Sequence, residues 1–178
     1  SADFGVPQIR KRVFFIGFKK KLDFDKFRIP KPTHTWEYLF DNKKNNLSKL
    51  KKSKLPSTLG IRKALGLNEI GYDTLCPTVR SAFTGKRNTT SILNSSASQE
   101  TFKKLKIWPN GVQLSREKAA KFPTINKHFR LSVEDVALIQ GFPKQWKISG
   151  AAYQVLGQIG NSVCPPVAYR IAKEIYRV

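Results

Sequence analysis

The 178-residue chain has no methionine and only two cysteines, Cys76 and Cys164. Those two thiols, with His34 and His128 far from either in sequence, do not make the clustered spacing of a zinc site, and two free thiols are the expected state. No apolar run approaches the ~20 residues that cross a bilayer, and the opening lacks the charged, apolar and small-residue regions of a secretory leader. A membrane-spanning helix is therefore excluded by sequence, and the cytoplasm is the expected location. Acidic residues are also scarce: 12 Asp and Glu stand against 33 Lys and Arg, for a formal net charge of +21.

What is present is a folded, strongly basic protein. Hydrophobic residues make up 40% of the chain, with 12 Phe and 3 Trp, which is too apolar for a disordered basic arm. An excess of positive charge on this scale attracts polyanions at long range, and binding releases the counterions condensed on phosphate. Nucleic acid is the leading partner class, and a membrane surface the weaker one.

Along the chain, residues 13–18, "VFFIGF", are β-branched and aromatic and read as a buried strand. Residues 19–32 read as irregular and basic, and the lysine-rich "DNKKNNLSKLKKSKLP" (41–56) as a solvated loop whose lysines would also suit phosphate. "PSTLGIRKALG" offers Ser57 or Thr58 as the cap of a short helix ended by Gly66. Residues 76–96, rich in Thr, Ser, Asn, Gly and Arg, suit short strands and polar loops. "LSREKAAKF" reads as a helix capped by Ser115.

The clearest helical signal is "LSVEDVALIQGFP". Ser132 with Asp135 three residues on predicts a reciprocal cap, Gly141 a left-handed end, and Pro143 a stop. At the end of the chain Pro166 suits a first helical turn, and Val167, Ala168, Ile171, Ala172 and Ile175 recur at helical spacing. This predicts a helix with one face on a core and Arg170, Lys173 and Arg177 outward.

Three segments carry chemistry together. In "QIRKR", Gln8, Arg10 and Arg12 alternate, so on an extended chain they share a face that can grip an anionic backbone or a base edge; a solvated edge strand would show the same alternation. "DFGVPQIRKRVFFIGF", "RLSVEDVALIQGFP" and "QIGNSVCPPVAYRIA", in this order with a long variable stretch after the first, resemble the eighth, ninth and tenth motifs of the DNA (cytosine-5)-methyltransferases. The resemblance covers essentially the whole chain.

It implies an α+β architecture: a small target-recognition domain of strands and loops with short helices, plus a strand and a C-terminal helix belonging to a large Rossmann-like catalytic domain. Residues 1–19 would end the catalytic domain, 20–145 would recognise the target, and 146–178 would return to the catalytic domain. Arg10 and Arg12 would support the pocket of the flipped cytosine. Asn161, Ser162 and Val163 would border S-adenosylmethionine, with Gly160-Asn161-Ser162 as a turn. Gln8 and the Thr78-Val79 element would belong to the DNA-binding set.

Within the variable stretch, Arg80, Arg87 and Asn88 are candidates for base readout, since Arg pairs with guanine and Asn with adenine. Lys86, Thr89, Thr90 and Ser91 are candidates for phosphate.

The chain departs from the family's pattern at two positions, Glu134-Asp135 and Cys164. The second falls where the family commonly has proline, so neither cysteine is expected to be a nucleophile. The family's glycine-rich cofactor loop, Pro-Cys-Gln nucleophile and Glu-Asn-Val glutamate are not in this sequence. The chain alone is therefore expected not to transfer methyl groups, and its expected partners are duplex DNA and a catalytic half or subunit. Two origins fit, an excised C-terminal piece or the smaller subunit of a split enzyme, and the start within a motif favours the piece. The alternative is a basic DNA-binding module without enzymatic function; an RNA-binding protein ranks lower, since the common RNA-fold signatures are missing.

Overall fold

A computed structural model describes residues 1–36, 54–79, 90–93 and 95–178. A single 3-10 turn, Ala2–Phe4, precedes α1 (Lys21–Lys26), α2 (Ile61–Ala64) and α3 (Ser96–Lys104). Strand β1 (Ile107–Gln113), α4 (Arg116–Ala120), β2 (Phe129–Ser132) and α5 (Val133–Ile139) follow, and α6 (Ala152–Asn161) and α7 (Pro165–Tyr176) complete the order. The mixture of helix and strand agrees with the α+β class. The two strands pair in parallel, Ile107 opposite Phe129 and Trp108 opposite Arg130, with an irregularity before Gln113 meets Ser132.

The core lies between this ribbon and the surrounding helices. Ile61 and Leu65 from the α2 region, Phe102 from α3, Ile107 and Val112 from β1, Leu131 from β2, Val136 and Ile139 from α5 and Val155, Leu156 and Ile159 from α6 form one buried cluster. Residues on both sides of the expected division at 145 thus share one core. Leu75 and Ala2 form a smaller one against Trp36.

Local chemistry explains why these elements start where they do. Ser132 Oγ accepts from the Asp135 amide at 3.2 Å and the Asp135 carboxylate accepts from the Ser132 amide at 2.8 Å, the expected reciprocal cap of α5. Ser115 caps α4 through the Lys118 amide. Helix α2 is capped differently from expectation. Its N-cap is Gly60, and Asp73 accepts from the amides of Arg62 and Lys63 from across the chain, while Thr58 donates to the Ala2 carbonyl. A Cβ at residue 60 would fall 2.3 Å from Asp73 Cγ, so glycine is what lets that carboxylate approach. Gly66 does end the segment, with φ of 69°.

Four expectations are corrected. Residues 13–18 form no strand: Val13 and Phe15 are 79% and 97% exposed, and no described strand lies alongside to supply a ladder. Residues 19–32 are not wholly irregular, since they hold α1, where Phe18 packs its ring near Phe24 and Phe27. The polar stretch 76–96 runs into α3, whose cap pairs Ser95 with Ser98 in the Ser-rich segment; its described residues hold no strand beyond an isolated bridge at Cys76. Helix α7 buries no residue at all, so its apolar face does not pack on the core. The loop reading for 41–56 falls outside the described residues up to 53.

Candidate functional site

The three chemistry-bearing segments converge. Residues 7–9 run beside Cys76, with the Ile9 amide donating to the Cys76 carbonyl at 2.8 Å and the Cys76 amide to the Pro7 carbonyl at 2.9 Å. Thr78 Oγ1 donates to the Ile9 carbonyl at 2.6 Å. This docking turns Gln8 and Arg10 inward, so the expected common face is broken: Gln8 is fully buried and Arg10 only 4% exposed, whereas Arg12 is exposed and its Nη1 donates to the neighbouring Lys11 carbonyl.

The Arg10 guanidinium donates from Nη1 to the Val79 carbonyl (3.1 Å) and from Nη2 to the carbonyls of Gly160 and Ser162, the latter at 3.0 Å. Gln8 Nε2 donates to Gln140 Oε1 at 2.9 Å, and Gln140 Nε2 donates to the Ser162 carbonyl at 3.1 Å. Gln8 Oε1 and Arg10 Nε have no partner among the described residues. Burial, and then the charge of Arg12, lowers the Arg10 pKa from its ordinary value.

In this arrangement Gln8 and Val79 are both buried. Thr78 is half-buried. Thr90 is also half-buried, and its carbonyl accepts from Val112. Ser91 donates to Asn110 Oδ1. Arg80, Lys86, Arg87, Asn88 and Thr89 lie outside the described residues.

Gly160 and Asn161 form the last turn of α6, not a free turn, and the chain breaks from the helix at Ser162, whose backbone is extended. Asn161 and Val163 are exposed beside half-buried Ser162, whose hydroxyl donates to the Ile159 carbonyl at 2.7 Å. Sequence reasoning missed α6 itself; the spacing of Val155, Leu156 and Ile159 was the signal.

Between the two segments lies a cavity of about 260 Å³, lined by Asp3, Phe4, Arg10, Lys11, Arg12, Phe14, Val163, Cys164 and Val167. Its three cationic side chains against one carboxylate favour an anionic occupant, and Phe14, Val163 and Val167 add an apolar wall. Cys164, the N-cap of α7, is free and buried, and burial pushes its thiol up despite the opposing charges of Arg10 and Arg12. Cys76 is fully buried and its thiol is raised by burial alone. Neither resembles an activated nucleophile.

The residues of "RLSVEDVALIQGFP" make contacts with neighbouring backbone and side chains. Arg130 donates to the carbonyls of Phe122, Asn110 and Gly111. Asp135 pairs with Arg116 at 2.6 Å, so an ion pair is present at this departure from the family's pattern. Gly141, at φ of 87°, brings the end of α5 against the start of α7: a Cβ there would lie 3.0 Å from Pro166 Cδ. Among the described residues no group of three or more His, Cys, Asp or Glu could hold a metal ion, and no helix is long and apolar enough to cross a membrane.

The family model for C-5 cytosine-specific DNA methylase matches residues 1–177, and the chain belongs to that family. Among curated proteins it is similar to the type II methyltransferase M.FnuDI of Fusobacterium nucleatum, at 28% identity over 191 residues, covering 97% of this chain and 52% of that protein. It is likewise similar to M.NgoPII of Neisseria gonorrhoeae, at 28% identity covering 97% and 52%, and to M.HhaI of Haemophilus parahaemolyticus, at 26% identity covering 97% and 50%. The chain spans about half the length of these relatives. No solved structure gives a significant match.

Proposed function

We propose that this chain is the target-recognition and C-terminal portion of an S-adenosylmethionine-dependent DNA cytosine-5 methyltransferase of the restriction-modification type. On this reading it acts in the bacterial cytoplasm with a catalytic half that carries the thiolate nucleophile, the glutamate and most of the cofactor site. The observation that carries the reading is the cavity itself. Segments 10–14 and 163–167 meet there, cationic on one side and apolar on the other, and apolar side chains of both segments' surroundings are left exposed among the described residues.

The exposed apolar side chains include Val13 and Phe15, and along α7 Tyr169, Ile175 and Tyr176, the last 92% exposed. Apolar surface on this scale marks an interaction site, and its occupant on this reading is the half of the relatives' length that this chain does not span. Alone, the chain is expected to self-associate through it. Residues 1–19 and 146–178 then flank the recognition region 20–145, with α6 lending its apolar face to that region's core.

Duplex DNA is the partner that a formal charge of +21 favours. Arg12, exposed at the cavity, is the residue proposed to meet the target nucleotide, with Arg10 behind it. Arg80, Arg87 and Asn88 are proposed for base edges, and Lys86, Thr89 and Thr90 for phosphates. S-adenosylmethionine, when bound, supplies an electrophilic methyl group. Asn161, Ser162 and Val163 fit one edge of its site, offering an exposed amide and an apolar contact.

The test mixes this chain with a catalytic half bearing the Pro-Cys-Gln and Glu-Asn-Val elements, a random-sequence duplex pool and labelled cofactor. Methyl transfer is expected from the mixture and from neither part alone. DNA binding without transfer from the mixture would leave a non-enzymatic DNA-binding module.

A further inference from the structure

Arg10 joins three stretches of backbone that are far apart in sequence. Its Nη1 holds the Val79 carbonyl, immediately before the 80–89 segment, and its Nη2 holds the carbonyls of Gly160 and Ser162, where α6 ends. Those two are helix-terminal acceptors, left without an intrahelical partner by geometry. Gln140 reaches the same Ser162 carbonyl and is itself held by Gln8, with both glutamines fully buried. A guanidinium presents its donors in a fixed fork, so carbonyls held by one fork are held at a set separation. Lysine in its place would keep the charge but could not span them.

We propose that Arg10, with Gln140, is a positioning residue that sets the root of the 80–89 segment against the 160–162 corner, and that it does not itself touch the target base. The functional meaning rests on the preceding reading, in which 80–89 reads DNA and 161–163 borders the cofactor; the tie rests on the hydrogen bonds alone. Arg12, two residues on and exposed, is the contrast.

Amide hydrogen exchange on the full chain tests it, comparing the unmodified protein with Arg10→Lys, Gln140→Met and Arg12→Lys. In Arg10→Lys, exchange at 76–79 and at 159–163 should rise together by about tenfold, with a much smaller change in β1 and α3. Arg12→Lys should leave both stretches unchanged. A rise in only one stretch, or a uniform rise through the core, overturns the proposal. Should Arg10→Lys fail to fold, Gln140→Met decides: faster exchange at 159–163 and at 8–9 supports the tie, and no change refutes it.

In the reconstituted mixture, Arg10→Lys should raise KM for DNA and for cofactor together, by about tenfold each, with kcat within about threefold. A collapse of kcat at unchanged KM would place Arg10 on the reacting base and overturn the proposal. If the unmodified mixture transfers no methyl group, the proposed function falls and the exchange result alone judges the tie.

Discussion

Helices α5 and α7 begin from similar information and end differently. Both are amphipathic and both start at a recognisable signal, the Ser132–Asp135 cap in one and Pro165-Pro166 in the other. Helix α5 buries Val133, Val136 and Ile139, whereas the twelve residues of α7 bury none. The difference lies in what each finds nearby. Beside α5 stand β2 and α6, while α7 is held at its first turn, where Cys164 is buried and Pro166 abuts Gly141, and then runs past the core. An amphipathic face states that a partner surface is needed but does not supply one.

The sharpest way to break the comparison is paired truncation. Leu131→Ala, in the packed region, should cost about 2–5 kcal/mol, while Ile175→Ala in α7 should stay within about 0.5 kcal/mol. Urea melts at a concentration low enough to keep the isolated chain monomeric would show it, and equal losses would mean that α7 is packed within the monomer.

Next in size is Asp135→Asn. The carboxylate is fully buried, accepts from the Ser132 amide and hydroxyl, and pairs with half-exposed Arg116, so the change should cost about 2 kcal/mol by the same measurement.

A pH series separates the regions by titration. Burial raises the Cys76 thiol in the fold, so folding favours its protonated form. That contribution is complete below the unfolded thiol's pKa of about 8.5 and is lost as pH rises above it, at up to about 1.4 kcal/mol per pH unit. Melting temperature should therefore fall between pH 8.5 and 10, and less steeply in Cys76→Ala.

The smallest effect is Ser115→Ala, which removes the α4 cap and should cost about 1 kcal/mol.

Several local signals were legible where a side chain meets backbone a few residues away, although the cap of α2, supplied by Asp73, was not among them. The caps of α4 and α5, the left-handed glycines at 66 and 141 and the proline start of α7 follow from residues a few positions apart. Two readings failed for want of a neighbour: 13–18 had strand composition without a ladder, and α7 had an apolar face without a core. Within the candidate site, alternation placed Gln8, Arg10 and Arg12 on one face, but the docking of residues 7–9 against Cys76 sent the first two inward and left only Arg12 outside. No spacing rule finds Gln140 as the partner of Gln8, because they are 132 residues apart.

By itself, then, the sequence determined the basic, folded character of the protein, its local caps and turns and its family likeness, since charge, propensity and motif order are local or additive. The tertiary structure alone decided which arginine is buried and hydrogen-bonded and which is exposed, and which amphipathic helix is covered. Burial and hydrogen-bond partnership depend on what the rest of the chain brings alongside.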